Sequence, residues 1–205
     1  MTLTLYTHPM SRGRMARWML EEVGQPYEAV YLDYATTMKA PDFLALNPMG
    51  KVPTLVHDGR VVTECAAVIT YLADAFPQAG LMPEDRGSLF RWMFFGAGPF
   101  EAAITDKALG VAVPPEKSGF VGYGSLDRVL DTLDAVLSSR EWLAGDGFSA
   151  ADLYLGSQIG YGLHFGTLPA KPAFTAYWDR IKDRPARLRA VALDDAELAR
   201  MKQNG

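Results

Sequence analysis

Asn47-Pro48-Met49-Gly50-Lys51-Val52-Pro53-Thr54-Leu55 is the stretch that decides the fold. Pro53 stands where a strand begins, and proline has no N–H with which to complete a ladder bond there. A cis Val52–Pro53 bond would turn the N–H and C=O of Val52 outward as an unpaired edge. Such an edge accepts an extended peptide through a pair of main-chain hydrogen bonds. An ordinary turn leading into a strand accounts for the same residues, and only about 5% of X-Pro bonds are cis. The neighbouring segments carry the decision.

Downstream, Thr54–His57 and Val61–Thr63 flank Asp58-Gly59, a dipeptide that tolerates positive φ at both turn positions and predicts a hairpin. A helix follows from about Glu64 to Phe76, with Ala67, Val68, Tyr71, Leu72 and Ala75 at helical spacing, and stops before Pro77. Upstream, Thr2–Thr7 alternates as a half-buried strand. Arg12–Val23 carries the apolar stripe Met15, Trp18, Met19 and Val23, with Ser11 to cap its start and Gly24 to end it. Tyr27–Leu32 reads as a second strand and Pro41–Leu46 as a short helix. The order is β-α-β, a short irregular stretch, then β-β-α.

Residues 77–87 carry Pro and Gly without periodicity and read as a linker. No strand pattern follows. Leu89, Trp92, Met93 and Phe100 suggest a helix that Gly96, Gly98 and Pro99 bend or break. Leu126, Val129, Leu130, Leu133, Val136 and Leu137 form a clean stripe. Ser149 and Asp152 make a capping box, with Phe148 and Leu153 as its hydrophobic staple, so a helix begins at Ala150. Phe174, Tyr177, Trp178 and Ile181 mark another, ending near Arg184. The expected architecture is α/β plus all-α: residues 1–76 as a small α/β domain, 77–87 as linker, and 88–205 as an all-helical domain.

The 205 residues include 20 Lys+Arg against 24 Asp+Glu, a balance without the basic excess that nucleic-acid binding requires. No apolar run reaches the ~18–20 residues of a membrane span, and the start lacks a signal-peptide pattern. The single cysteine, Cys65, excludes an internal disulfide, a Cys-x-x-Cys redox pair and a cysteine-rich zinc site. These readings exclude nucleic-acid and membrane partners, predict no metal site, and favour the cytoplasm.

NPMGKVPTL, then TECAAVITYLAD, then GDGFSAADLYLG occur in the order and context of the glutathione transferase family, and the resemblance covers nearly the whole chain. The second segment is similar to the family's Glu-Ser-x-x-Ile-x-x-Tyr-Leu pattern, and the third to the capping-box segment of its central helix. The resemblance implies a thioredoxin-like N-terminal domain, a cis Pro53, glutathione as cosubstrate, a symmetric homodimer with helices of both domains at the contact, and a role in detoxification. It is to bacterial-like cytosolic members other than the cysteine type, because no Cys occupies the loop before the first helix.

Glutathione has a peptide middle, two carboxylates and one ammonium. Val52 can hold the cysteinyl backbone beside Pro53, and Glu64 can pair with the γ-glutamyl ammonium. The helix start after Glu64 offers backbone N–H groups and a positive dipole end to the γ-glutamyl carboxylate. Lys39 and Lys51 flank the same edge and can meet the glycine carboxylate; as solvated surface lysines they would do nothing. Cys65 stands where the family pattern has Ser; its N–H still serves, and its thiol, at a helix start, either carries a redox role or replaces Ser as a small residue.

The remaining task is to stabilise a thiolate. A thiol of pKa ~8.5 is only about 3% ionised at pH 7, and lowering it ~2 units takes about 2.7 kcal/mol. One hydrogen bond to charged sulfur contributes roughly 1.5–3 kcal/mol, and a helix dipole ~0.3–1 kcal/mol. One hydroxyl before the first helix therefore suffices. Ser11 is the first choice, since family members outside the tyrosine group use Ser or Cys in this loop; a plain helix cap is its other reading. Tyr6 is the runner-up, with the loop one residue longer than in tyrosine-type members. Arg12 supplies positive charge near the sulfur or is a surface arginine. His8 reads as incidental rather than as a base.

A small-molecule electrophile would sit between the two domains, with Trp92, Phe95, Phe100, Tyr123, Tyr161 and Phe165 as candidate apolar lining, about a third of them touching ligand; His164 is ambiguous. Asp106 is an acid that can reach a partner's glutathione. The expected activity is attack of the glutathione thiolate on an electrophilic carbon, or reduction of a peroxide or disulfide; the alternative is a non-catalytic binding protein for glutathione or apolar ligands.

Overall fold

In the computed structural model, which describes residues 2–204, a four-stranded mixed sheet is built from β1 (Leu3–Thr7), β2 (Glu28–Tyr31), β3 (Thr54–His57) and β4 (Arg60–Thr63) in the order β2-β1-β3-β4. β1 pairs parallel with β2 and antiparallel with β3, in a register that sets Tyr6 opposite Val30 on one side and Thr54 on the other. The β3–β4 turn is the expected hairpin, with positive φ at Asp58 and Gly59. The end of β1 and the start of β3 consequently lie side by side.

Alternation along β1 sends Leu3, Leu5 and Thr7 to one face, where all three are buried and α1 (Gly13–Val23) packs against α3 (Cys65–Ala75). Tyr6 points to the other face. There it joins Val30, Leu46 and Val52 around Leu32, Met38 and Phe43, the last from α2 (Pro41–Leu46). Gly24, in the left-handed region, ends α1 as expected.

The helical part comprises α4 (Arg86–Phe95), a π-helical turn at Gly96–Phe100, α5 (Glu101–Leu109), α6 (Leu126–Ser139), α7 (Ala150–Phe165) and α8 (Pro172–Ile181). Gly96, Gly98 and Pro99, expected to bend or break the helix, all fall within the π-helical turn that joins α4 to α5. α7 begins at Ala150 with both halves of the capping box made. Asp152 is fully buried there and accepts from Leu143 N–H (2.8 Å), Ser149 N–H (2.9 Å), Ser149 O–H (2.6 Å) and Tyr177 O–H (2.6 Å). Trp92 and Phe100 are buried in this packing rather than free to line a pocket. Tyr161, Phe95 and Tyr123 are half-buried, Phe165 and His164 are exposed, and Asp106 accepts from the Tyr123 phenol at 2.7 Å.

Packing divides the chain differently from the sequence boundaries. One unit joins Met1–Gly80 with Asp183–Gly205; the other is Leu81–Lys182. The last helix, α9 (Pro185–Asn204), lies against α1 in the first unit. Its buried residues Ala186, Ala190 and Asp194 repeat every fourth position, so small side chains form much of the contact face. Asp194 accepts from Arg17 Nε at 2.9 Å, while the Arg17 guanidinium also donates to the phenols of Tyr27 (3.2 Å) and Tyr31 (2.9 Å). Both members of the ion pair are buried. Burial pushes the Asp194 carboxyl up to about 6 against the pull of Arg17 and Arg14.

Candidate active site

The segment before β3 is fastened from beneath. Asn47 is buried; its side-chain N–H donates to Lys51 C=O (2.9 Å) and to Thr54 Oγ1 (3.2 Å), and its Oδ1 accepts from Met49 N–H (3.1 Å). The Thr54 hydroxyl donates to the same Lys51 carbonyl at 3.2 Å. These bonds hold the turn that presents Val52, and the Val52–Pro53 peptide is cis. Neither the N–H nor the C=O of Val52 has a hydrogen-bond partner among the described residues. Asn47 is the residue that sequence reasoning missed here; its buried Asn-Pro position inside the quoted stretch was the available signal.

Glu64 caps α3 in the left-handed region, at φ 67° and ψ 121°. A non-glycine residue held there carries strain of about 1–3 kcal/mol. Its side chain is exposed, and its carboxylate has no ion-pair or hydrogen-bond partner among the described residues. Cys65 follows as the first residue of α3. Its thiol is buried and donates to Arg12 C=O at 3.6 Å, beside the Met15 sulfur at 3.9 Å. The structure thus supports Cys65 as a small buried residue joining the starts of α1 and α3.

The expected cations behave unequally. Lys39 donates its Nζ to Gly50 C=O at 2.9 Å, closing the turn across the Asn47–Lys51 stretch. Lys51 is exposed, and its side chain has no ion-pair or hydrogen-bond partner among the described residues. Arg12 is exposed at the start of α1.

The β1–α1 loop is held by its own groups. The Ser11 hydroxyl donates to His8 C=O (2.7 Å) and accepts from Gly13 N–H (2.9 Å), so it satisfies the first N–H of α1, while Arg12 stands at the cap position without a side-chain cap bond. Gly13 is required by close approach: a Cβ there would lie 1.9 Å from Thr7 Oγ1 and 2.9 Å from Ser11 Oγ. Arg14 donates its Nε to Pro9 C=O and pairs with Asp195 on α9 at 2.6 Å. The Tyr34 hydroxyl donates to Met10 C=O at 3.0 Å. Tyr6 is not in this loop; its ring packs 5.7 Å from that of Phe43 in the apolar cluster on the far face of the sheet. No helix among the described residues is long and apolar enough to cross a membrane.

Residues 1–74 match the family described as glutathione S-transferase, N-terminal domain, and residues 100–185 the one described as glutathione S-transferase, C-terminal domain. The chain is 31% identical to glutathione S-transferase GST-4.5 of Xanthomonas campestris, over 94% of this chain and all (100%) of that one. It is 32% identical to glutathione S-transferase 3 of Zea mays, over 93% of each. Among solved structures, a sphingomonad glutathione S-transferase complexed with glutathione superposes with a TM-score of 0.76 at 32% identity, covering 94% of this chain and 98% of that one. A glutathione transferase from Methylococcus capsulatus gives 0.77 at 32% identity, covering 95% and 100%.

Proposed function

This chain belongs to the glutathione S-transferase family and is a glutathione transferase, and from that premise we propose how its own residues hold the tripeptide and ionise its thiol. The Val52 N–H and C=O take the cysteinyl backbone of glutathione. Glu64 takes the γ-glutamyl ammonium. The first backbone N–H groups of α3, that of Cys65 included, take the γ-glutamyl carboxylate. Lys51 meets the glycine carboxylate, and Lys39 does so if it leaves Gly50. The observation that carries this reading is the unpartnered main chain of Val52 beside the unpaired carboxylate of Glu64.

Ser11 donates to the sulfur. Tyr6 is disfavoured for that role, because its ring is packed in an apolar cluster. To serve the sulfur, the Ser11 proton leaves His8 C=O, which keeps its bond from Ser11 N–H at 3.0 Å. A charge-assisted bond is roughly twice as strong as a neutral one, so the transfer favours the thiolate and not the thiol. Exchanging a neutral bond of about 1 kcal/mol for a charged one of about 1.5–3 kcal/mol nets close to one pKa unit. The α1 dipole and the charge of Arg12 add to it. The thiol proton leaves to solvent and the thiolate then attacks an electrophilic carbon: a C–S bond forms and the leaving group departs with its electron pair.

A homodimer belongs to this reading, supported by Phe90 and Phe94, which are exposed four residues apart on one face of α4. So does a cytoplasmic location, supported by a sequence with one cysteine, which allows no internal disulfide. The carrier alternative has no observation in its favour. Calorimetry with glutathione, paired with a conjugation assay against chlorodinitrobenzene, tests the whole: saturable binding with turnover is expected, and binding without turnover on any electrophile, peroxide or disulfide would overturn it.

A further inference from the structure

His8 is the one buried imidazole beside the Ser11 loop, and its polar groups organise that loop. Its Nδ1 accepts from Met10 N–H at 3.1 Å, and its carbonyl accepts both the N–H (3.0 Å) and the O–H (2.7 Å) of Ser11. Its ring lies on that of Tyr34, with centroids 4.3 Å apart, and Tyr34 holds the other side of the same Met10 residue through its carbonyl. Resting on the transferase reading, we propose that His8 is a positioning residue for the reaction: in its neutral, Nε2-protonated form it fixes the Met10 peptide and so the place from which Ser11 meets the sulfur.

Only the neutral ring can do this. Protonation turns Nδ1 into a donor facing the Met10 N–H donor, and the bond is lost. The titratable groups facing His8 are Asp33 and Tyr34, both on the segment after β2. Asp33 is held below the usual carboxylate range by Thr36 O–H and the N–H groups of Ala35 and Thr36, so it stays ionised. Burial lowers the His8 pKa below 6.5 and Asp33 opposes that shift, leaving the ring neutral at pH 7. The loop is thus intact at neutral pH and loosens as acid protonates His8.

His8→Ala removes the acceptor, and His8→Asn restores one near the Nδ1 position without a titrating ring. With chlorodinitrobenzene, kcat/KM falls about tenfold in His8→Ala, while glutathione affinity by calorimetry stays within about threefold, since the Val52 edge and Glu64 are separate. His8→Asn recovers most of the loss. It also changes the acid limb: on acidification log kcat/KM of the unaltered protein falls more steeply than that of His8→Asn, by up to about a further tenfold, because thiol and imidazole titrate together in the first and the thiol alone in the second. An Ala variant as active as the unaltered protein, or an Asn variant with the same acid slope, overturns the proposal. In ligand-free protein the Met10 amide resonance should titrate with the His8 ring, and a Met10 amide that ignores that titration overturns it too. This last readout needs no glutathione: a protein that fails to bind or turn over the tripeptide would defeat the transferase mechanism, while the Met10 amide would still decide the role of His8 in the loop.

Discussion

At the end of the sheet where β1 finishes and β3 begins, Val52 leaves both backbone groups unpaired, while Ser11 a few residues beyond β1 gives its only hydroxyl proton to His8. The first region is built to receive. Asn47 and Thr54 hold the turn rigidly from below, and Glu64 is kept in a strained left-handed conformation with its carboxylate in solvent. The second region is already satisfied by its own chain. Its hydroxyl changes acceptor only when a stronger, charged one arrives. On the function proposed above, the difference separates affinity from activation: the edge is assigned to recognising the tripeptide in either protonation state, and the loop to the ionised sulfur alone.

The contrast breaks first at Glu64. Glu64→Ala removes the proposed partner of the γ-glutamyl ammonium, a charged interaction of about 1.5–3 kcal/mol, so glutathione Kd should rise roughly 10- to 150-fold by calorimetry. An unchanged Kd would move the ammonium elsewhere. Gly13→Ala strikes the loop instead. The added methyl meets Thr7 Oγ1 in a buried strand end and should cost about 1–3 kcal/mol in urea unfolding, with kcat falling more than affinity. A fully stable, fully active variant would show that the loop is looser than its contacts imply. A third effect, confined to the pH dependence of stability, concerns the α9 anchor under α1. Because the folded-state Asp194 carboxyl is raised to about 6, the folded protein binds more protons than the unfolded chain between about pH 4 and pH 6. Its contribution is therefore fully present below about pH 4 and is lost as pH rises through about 6, by at most about 3 kcal/mol. Asp194→Asn should lack that part of the slope; identical slopes would place the raised proton affinity elsewhere.

Two buried carboxylates explain what was legible beforehand. Asp152 announces itself, because its partner Ser149 lies three residues away in a capping box with an apolar staple around it. Local spacing carries all the information. Asp194 has its partner 177 positions away, on a helix whose inward face is largely alanine, so no apolar stripe marks α9 and residues 88–205 read as one helical domain. The site divides in the same way. The Asn47–Leu55 stretch and the Asp58-Gly59 hairpin are short-range patterns and were readable. His8 was not: one imidazole in a loop looks incidental until the fold sets its Nδ1 against Met10 N–H and its carbonyl under Ser11. For Lys39 the sequence leaves a carboxylate contact and a solvated surface lysine both open, because the turn that brings Gly50 C=O to its amine has no sequence signature.

The thiolate absorbance of bound glutathione, followed against pH in the unaltered protein and in Ser11→Ala, tests the division between recognition and activation most directly. The midpoint should lie well below the ~8.5 of a free thiol and rise by about one unit or more in the variant, with Kd held within about threefold. A midpoint that stays put on loss of the hydroxyl, or a Kd that collapses with it, would contradict the assignment of Ser11 to the sulfur.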